Sequence, residues 1–484
     1  MKRKVLTLVL AACLVATTFL ASCGGGGSSS GGSAAPADTG SATAEEPAAD
    51  SSGGEAATGE LVVAGSQADM EKEAIVVRGV RSSTGTNAIF EQTAFGPQYK
   101  MWIDELNKDG GIYVKSLDRK VPIDLKVYDD GSDIAKTTQL YEQICLDEKP
   151  DILLPPVSTA ALFAVAPIAQ KYGYYLVAGE GGAKELEKYI AQNPNVFSVL
   201  SYSETQVPAF VKFCEEQGIE SVFCAYIDDL HGTEYWGAAK PQLEAIGVEI
   251  KGEQAVPLTG GFDGDTVINA AKQSGAQAFL AFTYPDQGIP IALSAIKLDY
   301  NPDVYLMGPG GSYDFIGGAL FGELGNVGMH GVIGWGAWNE KSSERAKEYS
   351  EHFREYWIDK GEFWLNADGT PNPNGTVYQD WWGHICYYSV CEIIQQAVEN
   401  AGSLTEDGIL DNSLLVEYTK TASFDTVMNE NLHFTNNILL DDMYLGNIGQ
   451  WQVGDDGQAV FEVIDVDDRR TADPIVPKPA WPKQ

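Results

Sequence analysis

The side chains that could do chemistry in this 484-residue chain are few and dispersed. Five histidines, His231, His330, His352, His384 and His433, stand far apart, and none pairs a base with a nucleophile at a recognisable spacing. There is no G-x-S-x-G, no H-E-x-x-H and no phosphate-loop pattern. The glycine-rich run GPGGSYDFIGG lacks the G-x-G-x-x-G spacing of a dinucleotide turn and reads as a loop at a cleft. Cys145, Cys214, Cys224, Cys386 and Cys391 show neither C-x-x-C spacing nor an accompanying histidine pattern, so no metal and no cofactor is expected. One disulfide among them is open, with buried packing favoured. Cys386 and Cys391, five apart on an expected helix, would not face each other. Catalysis is therefore not expected, and binding is.

One further cysteine has positional meaning. Lys2, Arg3 and Lys4 precede an almost wholly apolar run from Val5 to Ala21. This is the layout of a secretory signal, too short and too close to the terminus for a spanning helix. Leu20-Ala21-Ser22-Cys23 resembles the bacterial lipobox, whose cysteine is acylated and becomes the mature N-terminus. Lipid chains contribute roughly 0.8 kcal/mol per buried CH₂ and would hold the protein at a membrane face. From Gly24 to about Glu60 the chain is Gly, Ser, Ala, Pro, Asp and Glu with almost no large apolar residue. Such a segment cannot offset its ordering entropy and is expected to be a disordered tether. A net charge of −36 argues against nucleic acid and against broad electrostatic binding to anionic lipid.

The body reads as strands alternating with helices. Ala74 to Val80 is a short apolar strand, and Phe95, Tyr99, Trp102, Ile103 and Leu106 fall on one face of a following helix that stops at Gly110-Gly111. VPIDLKV alternates as a half-buried strand, Ser132 or Asp133 can cap the next helix, DILLPPV is a strand, and TAALFAVAPIAQKYG a helix. The pattern then restarts, with strands SVFCAYI, VEIKGEQAV, AFLAFTY and VYLMGP each preceded by a helix. This order implies two open parallel sheets with helices on both faces, and a cleft at the strand C-terminal ends.

The ordered set STGTNAIF, LNKDGGI, VYDDGSD, PPVSTAALFAVAPIAQKYG, YIDDLHGTEY and FTYPDQG resembles the type I periplasmic binding proteins of the branched-chain amino-acid (Leu/Ile/Val) family, the solute receptors of ABC importers. The resemblance runs from about Ala74 to about Ile464. It implies an α/β fold of two Rossmann-like lobes joined by a three-crossover hinge, with crossovers expected near Leu200, near Trp335 and between about Thr421 and Asn431. The expected organisation is a lipoprotein signal peptide at 1–22 and the lipidated Cys23 with its linker at 23–60. The N-terminal lobe is expected at 70–200 plus 336–425, the C-terminal lobe at 201–335 plus 426–470, and a tail at 471–484.

The resemblance also carries site residues. PPVSTA matches the turn whose serine hydroxyl and backbone amides hold a ligand carboxylate, here Ser158 with Thr159 and Ala160; a helix N-terminus suits an anion. Phe90, His231, Tyr284 and Trp382 match aromatic cleft positions and together suggest a wall around the ligand body. Two positions depart from the amino-acid binders. Gly310 in LMGPGGSYD stands where an acid pairs with the ligand ammonium, and Gly181 or Gly182 in VAGEGGAKEL stands where a threonine is usual. Glu180 could substitute for the acid, but from the other lobe. An ammonium buried without an acid is costly, so a carboxylate with an aromatic or aliphatic body is expected in preference to an α-amino acid.

The implied partners are a small-molecule solute, ABC permease and ATPase subunits, and a membrane reached through the lipid anchor on the extracytoplasmic face, at the outer surface or in the periplasm. The alternative is a ligand sensor of the same fold signalling to a membrane regulator without transport. Replacing Cys23 tests the anchor: Cys23→Ala is expected to release the body from membranes or block signal processing, whereas mass spectrometry finding an unmodified thiol at Cys23 of the mature protein would refute acylation.

Overall fold

The structure is a computed structural model that describes residues 66–85, 87–180, 184–200, 203–258, 261–360 and 383–483. In the first lobe, strand β1 (Ile75–Arg81) pairs in parallel with β4 (Ile123–Asp129) on one side and β5 (Ile152–Leu153) on the other. A parallel pair, β6 (Leu176–Ala178) and β7 (Val196–Ser198), and an antiparallel pair, β2 (Ile112–Val114) and β3 (Arg119–Val121), complete its strands. The second lobe is built on a seven-stranded sheet of order β14-β13-β12-β11-β10-β8-β9. Its members are β8 (Ser221–Ile227), β9 (Glu249–Val256), β10 (Ala278–Thr283), β11 (Val304–Pro309), β12 (Val332–Trp335), β13 (Ile448–Val453) and β14 (Ala459–Val463). All pairings from β9 to β12 are parallel; β13 and β14 add antiparallel at the edge.

The central strands read as unbroken apolar runs because both faces are covered. Along β10, Ala278, Leu280 and Phe282 enter one apolar layer while Phe279 and Ala281 enter the other, and β8 splits in the same way. The expected helix after β1 begins as a short helical turn at Ala88–Phe90, widens into a π-turn at Glu91–Phe95 and continues as Gly96–Lys108, burying Phe95, Tyr99, Trp102 and Ile103. It ends at Gly110 and Gly111, both at positive φ. Asp133, rather than Ser132, caps the next helix by accepting from the Lys136 N–H. Cys145, Cys214, Cys224, Cys386 and Cys391 are all buried free thiols, so the open question of a disulfide among them resolves to packing. Among the described residues no helix is long and apolar enough to cross a membrane.

The chain leaves the first lobe after β7 and enters the second at the helix Ser203–Glu216, which packs on the helix Leu230–Ala245. It returns after β12, since Tyr349 on the helix Glu344–Lys360 donates to Gln98 Oε1 of the first lobe at 2.5 Å. Beyond the 421–431 window the chain keeps a contact with the first lobe. Ile438 still bridges Ser198 of β7, and the Ser198 N–H donates to Asn437 O at 2.9 Å. Residues 424–438 lack strand-like alternation, so the sequence did not mark this attachment.

The segment beyond 470 is bound to the second lobe along its length. The Ile475 N–H donates to Gln450 Oε1 at 2.8 Å and the Lys478 N–H to Asp303 O at 2.7 Å. Trp481 lies against Tyr305 and Phe321, with its indole N–H donating to Tyr300 O at 2.8 Å. Burial and a buried hydrogen bond together give Trp481→Ala an expected cost of about 3 kcal/mol. A lowered urea midpoint at unchanged slope would show it, while Lys483→Ala, at an exposed position, should leave the midpoint in place.

Candidate functional site

Three connections at the C-terminal edge of the first-lobe sheet are gathered by Arg81, the last residue of β1. Its guanidinium is fully buried. It pairs with Glu91 at 2.8 Å and Glu180 at 2.5 Å, and donates to Pro155 O at 2.6 Å. The rings of Tyr387, Phe95 and Tyr99 lie 5.1, 5.7 and 5.8 Å from its central carbon. Glu91 follows Phe90, Pro155 opens the turn to Ser158, and Glu180 follows β6, so one cation ties together the backbone that carries Phe90, the Ser158 turn and Glu180. Tyr99 donates to Glu91 Oε1 at 2.7 Å.

Two carboxylates therefore share one guanidinium out of reach of water. Burial pushes the Glu180 carboxyl up to about 8, against the pull of Arg81 and with the help of the Glu91 charge. Its Oε2 and the Tyr387 hydroxyl are buried without a hydrogen-bond partner among the described residues.

Ser158 starts the helix Thr159–Tyr172 from a backbone at φ 92°, ψ 156°, a strained setting for a residue with a side chain. Its Oγ accepts from the Ala161 N–H at 3.3 Å. The hydroxyl is thus the helix cap, and its own proton is left to donate outward. Ala160, in the first turn, is exposed.

At the second-lobe edge, Asp229 caps the helix Leu230–Ala245 by accepting from the Gly232 N–H at 2.9 Å. This start presents His231, which stacks on Tyr284 with ring centroids 5.1 Å apart and planes 19° apart. Tyr235 lies 4.5 Å from the same imidazole. Burial, opposed by Asp229, lowers the His231 pKa to about 4, so the ring is neutral at pH 7; its Nε2 is buried without a partner among the described residues. Burial and the neighbouring Asp229 carboxylate hold the Tyr284 hydroxyl protonated.

Gly310 follows β11 in a 3₁₀ turn beside Pro285. Glycine is forced at Gly308, where a Cβ would lie 2.3 Å from the Trp335 indole nitrogen. At Gly310 a Cβ would meet only Met307 Cε at 3.3 Å and Pro285 at 3.7 Å, so the missing side chain there is not dictated by packing. Tyr313, whose N–H donates to Gly310 O, meets Phe90 edge-on at 5.6 Å. The C-terminal edges of the two sheets therefore face each other. Gly181, Trp382 and Cys23 lie outside the described residues.

A model of the family described as periplasmic binding protein matches residues 82–455, well over half of the chain. The chain belongs to the periplasmic binding protein family. The fold is shared with a solute binding protein of an ABC transporter from Rhodopseudomonas palustris BisB5, solved with 3,4-dihydroxybenzoic acid. That match has TM-score 0.62 and 16% identity, over 81% of this chain and 96% of that one. The leucine binding protein LivK of Thermotoga maritima MSB8 matches with TM-score 0.60 and 15% identity, over 81% and 98%. LivJ of Streptococcus pneumoniae, solved with isoleucine, matches with TM-score 0.62 and 13% identity, over 80% and 97%. The architecture is the type I periplasmic binding fold.

In this binding protein the structure joins His231 to Tyr284, sets Gly310 beside the Tyr284 turn, and links Phe90, the Ser158 turn and Glu180 through Arg81. Sequence reasoning missed Arg81, Glu91, Tyr387 and Tyr313. A charge closing an apolar strand was the one available signal, and its partners lie up to 306 positions away, at Tyr387. Among the described residues no His, Cys, Asp and Glu group could hold a metal ion.

The raised Glu180 carboxyl has a consequence for stability. Below its ordinary value of 4.5 the group is protonated folded or unfolded; between there and about 8 the folded chain retains a proton that unfolding releases. Stability should fall across that window as pH rises and level off above it. Glu392 and Asp465, buried acids raised to about 8 and about 6, add slopes of the same sign, so the parent chain is the reference. Glu180→Gln is expected to gain at least ~1 kcal/mol on the parent between pH 5 and pH 8.5. Urea unfolding at both pH values measures it, and parallel behaviour of the two chains would contradict the assignment.

Proposed function

We propose that this periplasmic binding protein is the extracytoplasmic solute receptor of an ABC importer, held to the membrane through an acylated Cys23, and that it binds a small carboxylate with an aromatic or aliphatic body and no α-amino group. Family membership supports the receptor role and the extracytoplasmic side. The ligand class rests on one observation: the two acids beside the expected contact residues are already engaged. Glu180 is committed to Arg81, Asp229 caps its helix beside the Tyr284 hydroxyl, and Gly310 has no side chain. An ammonium brought between the lobes would find no uncommitted carboxylate among these three, while a carboxylate would meet the Ser158 hydroxyl at a helix N-terminus.

Phe90, Tyr313, His231 and Tyr284 supply flat surfaces for the body of such an acid, and the neutral His231 offers a buried Nε2 to a ligand hydroxyl or carbonyl. The dihydroxybenzoate bound by the Rhodopseudomonas protein is a compound of this class, whereas the isoleucine bound by LivJ is not.

Native mass spectrometry of protein purified from its host would identify the retained solute. Calorimetry on paired acids and amino acids gives the direct test. Carboxylates without the amino group should bind more tightly than leucine, isoleucine or valine by at least about 1.4 kcal/mol, roughly tenfold. Ser158→Ala should weaken binding by roughly 1–3 kcal/mol, the range for a hydrogen bond to a charged group. Tighter binding of any of the three amino acids would overturn the ligand class.

A further inference from the structure

Away from the ligand-facing rings, the two lobes are joined by a carboxylate. Glu234, on the second-lobe helix Leu230–Ala245, accepts from the Lys184 N–H at 2.7 Å with Oε2 and from the Glu185 N–H at 3.2 Å with Oε1. Those donors open the first-lobe helix Glu185–Gln192, whose Leu186 and Ile190 are buried in the first-lobe core. Lys184 supplies no side-chain cap to this helix. Its first N–H groups are orphan donors by construction, and here they are served by a residue of the opposite lobe. The arrangement is a helix cap in trans, made of charge-assisted bonds. Glu185 and Glu187 already place negative charge in the first turn, so a third carboxylate is held there by the paired N–H groups and not by a shortage of acid.

We propose that Glu234 is a positioning residue for ligand capture: a latch that biases the ligand-free chain toward the closed arrangement and prolongs solute residence without touching the solute. The two bonds exist only while the lobes are together, and on separation the donors and the carboxylate return to water. A contact made in one state alone shifts the equilibrium by its own worth. The latch also reports to the site. Glu234 lies three residues from His231 and one from Tyr235, on the same helix end. The helix turn that seats Glu234 on the opposite lobe is therefore the turn that carries His231 and Tyr235.

Amide hydrogen exchange on the full ligand-free chain reads these bonds directly and needs no ligand, so its outcome is independent of the proposed ligand class. In the parent the Lys184 and Glu185 amides should exchange about fivefold more slowly than in Glu234→Ala, the ~1 kcal/mol of a helix cap. Glu234→Gln, which keeps acceptor oxygen but loses charge, should fall between. Ile190, deeper in the same helix, should be unchanged. Spin labels at Lys136→Cys and Gln273→Cys, one exposed position in each lobe, should show a larger long-distance population in Glu234→Ala than in Glu234→Gln, and in Glu234→Gln than in the parent. Equal exchange of the two amides in parent and Glu234→Ala would overturn the latch. So would loss of protection along the whole helix, or unchanged label distances, since either makes Glu234 a local support and not a closure device.

Discussion

A guanidinium with no contact to water organises the first-lobe edge of this binding protein. Arg81 cannot shed its charge, so its burial is tolerable only if every direction it faces is filled by an acceptor or a π-face. The fold supplies Glu91, Glu180 and Pro155 O around it, with Phe95, Tyr99 and Tyr387 as aromatic walls. Each of the three hydrogen-bond acceptors comes from a different connection. Satisfying one cation therefore fixes the π-turn after β1, the turn before Ser158 and the residue after β6 relative to each other. Removing a partner would strand a buried charge, which is costlier than the pair is favourable. The edge is therefore rigid for the same reason that it is expensive to assemble.

The two edges solve different problems. At the Arg81 cluster the first lobe keeps its charge buried and turned inward, and under the proposed function the Ser158 hydroxyl at a helix start would meet the anion. The second lobe offers rings: His231 on Tyr284, with Tyr235 behind, and Tyr313 reaching Phe90. A neutral imidazole suits that role, because a protonated one in a buried aromatic stack would need a counter-charge, and Asp229 is occupied with its cap. An anion's head and an apolar body would thus be met by different lobes, and only a closed arrangement presents both.

Much of the architecture was legible in the sequence for a physical reason. Strands buried on both faces must be continuous apolar runs, so SVFCAYI and AFLAFTY announced β8 and β10 with little ambiguity. The helix starts at Ser158 and at Ser132 or Asp133 were legible because capping needs a side-chain oxygen at one place, and the fold decided for Asp133. What was not legible depended on distance along the chain. The partners of Arg81 lie 10, 74 and 99 positions away by hydrogen bond, and no local pattern encodes such separations. The helix Glu185–Gln192 was passed over because it is short and charged, and the attachment of Ile438 to β7 because a single bridge needs no strand-like alternation. At the site, Glu180 was noticed as an acid near a turn, but its commitment to Arg81 required the fold.

That commitment decides how the site is to be understood. An acid counted from sequence alone is a potential ammonium partner; the same acid seen paired at 2.5 Å with a buried guanidinium is part of the scaffold. Its second oxygen, buried and without a partner among the described residues, does not restore the first role. With Arg81 cationic and Glu91 and Glu180 both facing it, the cluster carries one carboxyl too many for full ionisation, and the cheapest neutral state in a dry site places a proton on Glu180. A protonated carboxyl donates rather than attracts a cation. Among the described residues the Arg81 cluster then presents no free negative charge beside the helix start at Ser158. Burial and the Glu91 charge, by choosing the protonation state of one side chain, remove a competing negative charge from the neighbourhood in which the proposed carboxylate would bind.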